Sequence, residues 1–168
     1  MRTRQPHSGL SPASERAPRR LGGMTIDLEA LYIDLHRHPE LSFQETRTAG
    51  VITQKLTELG IEFEEGIGRT GVAAIIRNGE GPVVWLRADM DALPVEERTG
   101  LAYASTARGV DPNGVEVPVM HACGHDMHVT ALIGALEKLV ATQDEWSGTL
   151  VAVFQPAEEY GAGSQAML

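Results

Sequence analysis

Apolar residues recur every three or four positions in three stretches of the chain, and this spacing predicts three amphipathic helices. The stretches are residues 26–39, 42–60 and 125–141. Pro39 and Gly60 end the first two, because proline lacks an amide hydrogen and glycine favours the turn that follows a helix. Ser42, with Glu45 three residues later, predicts a capping box at the start of the second helix. A short fourth helix is expected near Ser164.

Four shorter stretches have the composition and spacing of β-strands. They are residues 61–65, 71–77, 83–87 and 148–154. Val83 to Leu86 is nearly all apolar, as expected of a strand that is covered on both faces. Residues 99–118 contain the turn sequence Asp111 to Gly114, so we expect an exposed loop or hairpin there. The alternation of helices and strands predicts an α/β sandwich.

Composition places the chain among globular proteins. Its 168 residues, 42% of them hydrophobic, can bury one core. No run of about eighteen apolar residues occurs, so neither a transmembrane helix nor a membrane partner is expected. One cysteine excludes a disulfide within the chain and fits a reducing compartment, which predicts a cytoplasmic location.

Charge divides the chain into two parts. Residues 1–23 hold five arginines and one glutamate, so the remainder is more acidic than the formal net charge of -9 for the whole chain. We expect residues 1–23 to be a disordered basic leader, with a transit peptide as the alternative, and residues 24–168 to be the folded domain. The acidic domain argues against nucleic acid as a partner.

The richest chemistry lies in Met120 to His128, which holds the only cysteine and three of the six histidines. Cys123 and His125 are separated by one glycine, so on a loop both side chains can turn to one side, whereas on a helix they would diverge. A thiolate and an imidazole are suitable ligands for zinc. A lone cysteine is more often a buried apolar group, and two ligands do not complete a site. The remaining ligands must come from elsewhere in the chain.

Acidic residues follow two of the predicted strands. Asp89 and Asp91 come after the strand at 83–87, while Glu158 and Glu159 come after the last strand. Functional groups in α/β sheets collect at the carboxyl ends of strands. Paired acids beside a metal loop can supply a ligand and a base, although such pairs also occur simply as solvated loop residues.

Four motifs together resemble the M20 metallopeptidases, and most closely the amidohydrolases that include hippurate hydrolase, auxin-conjugate hydrolases and N-acetyldiaminopimelate deacetylase. The motifs are residues 37–43, 86–94, 120–128 and 154–159. The resemblance implies a zinc-peptidase-like three-layer sandwich with a mixed, mainly parallel sheet, here truncated. It also implies a homo-oligomeric full-length protein.

The resemblance further implies a two-metal site that uses zinc or manganese, with nickel and cobalt as alternatives. Cys123, His125 and Glu159 would be the metal ligands. Glu158 would be the general base, and Asp91 would act in catalysis or by orienting a ligand. Supporting positions would be Asp89, which stands where the wider family has a histidine ligand, and His128.

The function implied is that of a metal-dependent amidohydrolase. It would cleave the amide bond of N-acyl amino acids or related small amides by metal-activated water, with Glu158 as general base. The family places further histidine ligands beyond Glu159, and none of the nine residues after it is histidine. We therefore expect the N-terminal part of a catalytic domain that is inactive by itself. The alternatives are a truncated fragment that only binds metal and a structural zinc or interaction module.

Overall fold

A computed structural model describes residues 25–168 of the chain. The predicted basic leader, residues 1–23, lies outside the described residues and stays a prediction. Every predicted helix and strand is present, and the α/β class is confirmed. The helices are α1 Leu28–Arg37, α2 Thr46–Glu58, α3 His125–Ala141 and α4 Gly163–Met167, with a 3-10 turn at Gln143–Glu145. The strands are β1 Glu62–Ile67, β2 Gly71–Asn78, β3 Val83–Asp89, β4 Arg108–Val110, β5 Glu116–Pro118 and β6 Gly148–Gln155.

Four strands form a mixed sheet in the order β1, β2, β6, β3. The mixed sheet is confirmed, but the prediction that it is mainly parallel is wrong for these strands. The β1–β2 and β2–β6 pairs are antiparallel, and only β3–β6 is parallel. The cause is connection length: β1 and β2 are joined by a three-residue turn, whereas a parallel pair needs a long crossover, which α3 supplies between β3 and β6.

Helices α1, α2 and α3 cover one face of the sheet and bury the main core. Its largest fully buried side chains include Phe154 from β6, Leu35 from α1 and Ile133 from α3. Alternate residues of β2 and β6 point into this core, as the two-residue period of a strand requires. Removing a ring such as that of Phe154 from a packed core costs about 3–5 kcal/mol.

The opposite face of the sheet is less covered in the described residues. Helix α4 lies near the β1–β2 turn, where a Cβ added to Gly71 would come within 2.8 Å of the Met167 side chain. The prediction that Val83 to Leu86 is covered on both faces is wrong, because Val83 is 60% and Trp85 68% exposed. Within residues 25–168, β3 pairs with β6 alone, and a complete third layer is not seen.

The start of α2 is capped differently from the prediction. Glu45 is the N-cap residue, but its side chain makes no capping hydrogen bond. Glu40 does this instead, since its carboxylate accepts the amide hydrogens of Arg47 at 2.9 Å and Thr48 at 2.7 Å. The predicted capping box of Ser42 and Glu45 is therefore wrong, and both side chains have partners elsewhere in the fold.

The segment predicted as a loop or hairpin contains the two-stranded β4–β5 hairpin, which is confirmed. At its turn, the Asp111 carboxylate accepts the amide hydrogens of Asn113 and Val115. No helix within residues 25–168 is long and apolar enough to cross a bilayer.

Candidate metal centre

Two neighbouring parallel strands carry the acidic motifs to the same edge of the sheet. Asp89 at the end of β3 lies opposite Gln155 at the end of β6. The chain then continues from β3 to Asp91 and from β6 to Glu158 and Glu159. The carboxyl ends of parallel strands share one edge, so Asp91 becomes a neighbour of Glu158 and Glu159, which lie 67 and 68 positions later in the sequence.

The histidine motif lies at this edge, on a loop that leads directly into α3. Gly124 is the N-cap residue with φ 78, a left-handed conformation that glycine adopts without a Cβ clash. His125 is the first residue of the helix, and Cys123 precedes it on the loop. This local arrangement agrees with the loop and helix that the sequence predicts.

Asp91 is buried at the centre of the site and holds several groups in place. Its Oδ1 accepts the amide hydrogen of Glu158 at 3.1 Å, and its Oδ2 accepts that of Glu159 at 3.0 Å and the Ser42 hydroxyl at 2.6 Å. Burial alone would raise the pKa of Asp91, but hydrogen bonds, above all with His125, lower it. Both carboxylate oxygens of Asp91 are therefore engaged by groups of the protein itself.

His125 is fixed with one ring nitrogen directed into the site. Its Nδ1 lies 2.8 Å from the Asp91 carbonyl oxygen, which can only accept, so Nδ1 carries the hydrogen. The other nitrogen, Nε2, lies 3.8 Å from Glu158 Oε2 and 3.9 Å from Glu159 Oε1. Burial would lower the pKa of His125, but hydrogen bonds to Asp91 raise it to about 9. A divalent ion would displace the proton from Nε2 of the protonated ring, since only neutral imidazole ligates metal.

The group formed by His125, Glu158 and Glu159 has the spacing of a metal site. One ligand atom from each lies within 4.8 Å of the others. Zinc bonds to nitrogen and oxygen are about 2.0–2.2 Å long, so two atoms on one ion are at most about 4.4 Å apart. The distances of 3.8 and 3.9 Å from His125 Nε2 to the two glutamates are within that limit. Glu159 Oε1 is moreover buried without a hydrogen-bond partner. A buried carboxylate oxygen in that condition is costly unless a cation satisfies it, so these residues fit a divalent ion.

The predicted ligand set is brought together in part. His125 and Glu159 are neighbours, whereas Cys123 is exposed. Its thiol contacts Glu159, and this hydrogen bond raises the pKa of Cys123 to about 11. Its sulfur belongs to neither of the two groups of potential metal ligands found in residues 25–168.

The second group consists of Asp89, His125 and His128. His128 Nδ1 lies 3.7 Å from Asp89 Oδ2, which also accepts a hydrogen bond from Arg87 at 3.1 Å. Asp89 Oδ1 is buried without a hydrogen bond, although Arg87 Nη1 lies 3.1 Å away outside hydrogen-bond geometry. Asp89 and His128, predicted as supporting residues, thus lie at the margin of the same site.

Sequence reasoning missed two supporting side chains, Ser42 and Glu45. A parallel bridge between Leu41 and Ala92 places their segment beside Asp91, where Ser42 donates its hydroxyl hydrogen. Glu45 is 0% exposed and accepts the amide hydrogen of Ala157. The spacing of Ser42 and Glu45 indicates a helix cap, so the sequence does not show that they bond to Asp91 and Ala157 instead. The signal that could have found Ser42 is the motif at 37–43, which carries part of the family resemblance, whereas Glu45 lies outside that motif.

His121, in the centre of the histidine motif, also had no predicted role. It is buried, and neither ring nitrogen has a hydrogen-bond partner. Burial lowers the pKa of His121 to about 4, so the ring is neutral near pH 7.

Comparison with known proteins identifies the family of the chain. The family model described as Peptidase family M20/M25/M40 matches residues 85–168, and the chain belongs to this family. It is 42% identical over 160 residues to N-acetyl-L-cysteine deacetylase of Bacillus subtilis, covering 95% of this chain and 36% of that protein. It is 43% identical over 143 residues to hippurate hydrolase of Campylobacter jejuni, covering 84% of this chain and 34% of that protein.

A solved structure of the same family has a similar fold. The fold resembles that of a dinuclear metal-binding peptidase of the M20 family from Bacillus subtilis, with a TM-score of 0.74 and 42% identity. The match covers 83% of this chain and 37% of that one. The chain thus spans about a third of the length of the relatives it matches.

Proposed function

We propose that residues 24–168 form part of the catalytic domain of a metal-dependent amidohydrolase that cleaves small N-acyl amino acids or related amides. The observation that carries this proposal is the convergence of His125, Glu158 and Glu159 around a buried carboxylate oxygen that has no hydrogen-bond partner. The similarity to a deacetylase and to hippurate hydrolase supports the substrate class. Zinc or manganese is the proposed metal, with two ions in a complete site.

The two glutamates divide the work according to their burial. The Glu159 side chain is 15% exposed and would hold the metal together with His125, with Cys123 contributing from the loop. The Glu158 side chain is 41% exposed, so it can reach a substrate and a water molecule. Both carboxylates lie at similar distances from His125 Nε2, so their difference in exposure is what favours Glu159 as ligand and Glu158 as base.

When bound, a divalent ion would polarise the amide carbonyl and make water more acidic. Glu158 would take a proton from the attacking water and return it to the leaving amine. Asp91 would keep both glutamates and His125 in register through its buried hydrogen bonds. The exposure of Glu158 favours an open catalytic site over a closed structural zinc site, in which four protein ligands exclude water.

The test compares Glu158→Gln with Glu159→Gln in the protein as its gene encodes it. Amine release from N-acetyl amino acids and hippurate is measured with zinc or manganese, and bound metal is measured by elemental analysis. We expect Glu158→Gln to keep the metal and lose turnover by roughly 10² or more. Glu159→Gln should lose the metal. Exchanged phenotypes would reverse the two roles, and a metal-loaded protein that hydrolyses none of these amides would refute the function.

A further inference from the structure

The turn that presents both glutamates contains a strained residue. Ala157 lies between Pro156 and Glu158 with φ 47, in the left-handed region. For a residue with a Cβ this conformation is unfavourable, and it persists where the surrounding structure imposes it. Ala157 is fully buried, so its amide hydrogen needs a partner within the protein.

Two buried carboxylates hold three successive amides of this turn. Asp91 accepts from Glu158 and Glu159, as described above. Glu45, which is 112 positions away in the sequence, accepts from Ala157 at 2.9 Å. The other oxygen of Glu45 accepts the Thr70 hydroxyl at 2.5 Å. The turn is therefore fixed by side chains from the β3 end and from the N-cap position of α2.

We propose that Glu45 is a positioning residue: by holding Ala157 in its left-handed conformation it sets where Glu158 and Glu159 stand relative to His125. This inference rests on the proposed function for its consequence, the binding of metal. Glu45 does not cap α2, because Glu40 already supplies the acceptors for the first amides of that helix. A buried carboxyl group is costly in a core, and Glu45 offsets that cost through the hydrogen bonds from Ala157 and Thr70.

The role requires an acceptor at Ala157 and does not require a charge. Burial raises the pKa of Glu45, while the hydrogen bonds from Thr70 and Ala157 oppose that change. The oxygen facing Ala157 can accept a hydrogen bond in either protonation state. Glutamine at position 45 should therefore hold the turn as glutamate does. Methionine has a similar size but lacks a comparable acceptor, so it should not. This pair separates positioning from simple filling of volume.

The experiment uses the 168-residue chain as wild type, Glu45→Met, Glu45→Gln and the control Glu40→Gln. Hydrogen exchange of the amides at 157–159 reports the turn without metal, and calorimetric titration with zinc chloride reports the site. Glu45→Met should exchange about tenfold faster at 157–159. It should also bind zinc about 10- to 100-fold more weakly, the usual effect of losing outer support for a metal ligand. Glu45→Gln should match wild type in both readouts, and Glu40→Gln should do so even if its melting temperature falls.

The outcomes separate the two hypotheses. If wild type binds no zinc, the proposed function fails, and the exchange measurement still decides the role of Glu45. Wild-type exchange at 157–159 in folded Glu45→Met would overturn the inference. If Glu45→Met does not fold, Thr70→Val decides, because it removes the hydrogen bond that Thr70 donates to Glu45. Exchange about threefold faster at 157–159 in that variant would support the inference, and unchanged exchange would overturn it.

Discussion

Removing the Asp91 carboxylate should destabilise the fold more than any single surface change. In Asp91→Ala, the amides of Glu158 and Glu159 and the hydroxyl of Ser42 would lose their acceptor in a buried site. Each unsatisfied buried donor costs about 1–3 kcal/mol, and breaking a buried charged pair costs about 3–5 kcal/mol. These contributions overlap, so we expect a loss of about 4 kcal/mol in the free energy of unfolding. That is a large share of the roughly 5–15 kcal/mol typical of a domain.

The isosteric variant Asp91→Asn separates charge and acceptor geometry from cavity formation. Its NH2 group must face one of the backbone amides that now donate a hydrogen bond to Asp91. We therefore expect a loss of about 2 kcal/mol in the free energy of unfolding. Urea unfolding followed by circular dichroism measures both variants, and about 2 kcal/mol corresponds to a midpoint lower by about 1 M. The matched control is Asp34→Asn, whose carboxylate pairs with Arg47 at the surface and should contribute less than about 1 kcal/mol. Equal midpoints for Asp91→Asn and Asp34→Asn would refute the central role of Asp91.

Three further predictions follow from the described contacts. Cys123→Ser should reduce zinc or manganese retention in elemental analysis, and unchanged retention would remove Cys123 from the ligand set. Burial would lower the pKa of His36, but hydrogen bonds to Asp126 and Glu97 raise it. The stability that His36 contributes should therefore be complete below pH 6.5 and be lost as the pH rises through the pKa of the folded state. Urea midpoints from pH 5.5 to 9 should show this fall in wild type, and an equally steep fall in His36→Gln would contradict it. Phe154→Ala should cost about 3–5 kcal/mol in urea unfolding, whereas a cost below about 1 kcal/mol would mean that the β6 core is not packed as described.

The local elements could be predicted because their signals are local. The apolar period of α3, with Gly124 before it, marks a loop that leads into a helix, and the structure has both. The acids after β3 and β6 could be placed at one edge because parallel strands share their carboxyl ends. The strand ends indicated that Glu158 and Glu159 are functional, whereas the assignment of Cys123, His125 and Glu159 as ligands and Glu158 as base came from the family resemblance.

The sheet order could not be predicted, because it depends on contacts between distant residues. β6 inserts between β2 and β3, although β2 and β3 are separated by only a short turn. That insertion makes the sheet mainly antiparallel in the described residues. It also leaves β3 at an edge with Trp85 exposed, whereas its apolar composition indicates a covered strand.

The supporting residues of the site escaped prediction for a related reason. Ser42 and Glu45 have the spacing of a capping box, but Asp91 and Ala157 compete successfully for their side chains across the fold. Glu40, five residues before the N-cap of α2, takes over the capping. A motif of four residues cannot reveal which of two partners wins when one of them lies far away in the sequence.

The central claim is that His125 and the two glutamates at the edge of β3 and β6 form a metal centre. Calorimetric titration of the purified chain with zinc chloride tests it most directly, comparing wild type with His125→Gln and with His38→Gln. His38 is an exposed histidine at the C-terminal cap of α1 and belongs to neither group of potential ligands found in residues 25–168. Its Nδ1 is hydrogen-bonded to the Asp34 carbonyl oxygen. We expect wild type and His38→Gln to bind zinc alike and His125→Gln to bind at least about 100-fold more weakly. Equal zinc affinity in wild type and His125→Gln would contradict the account.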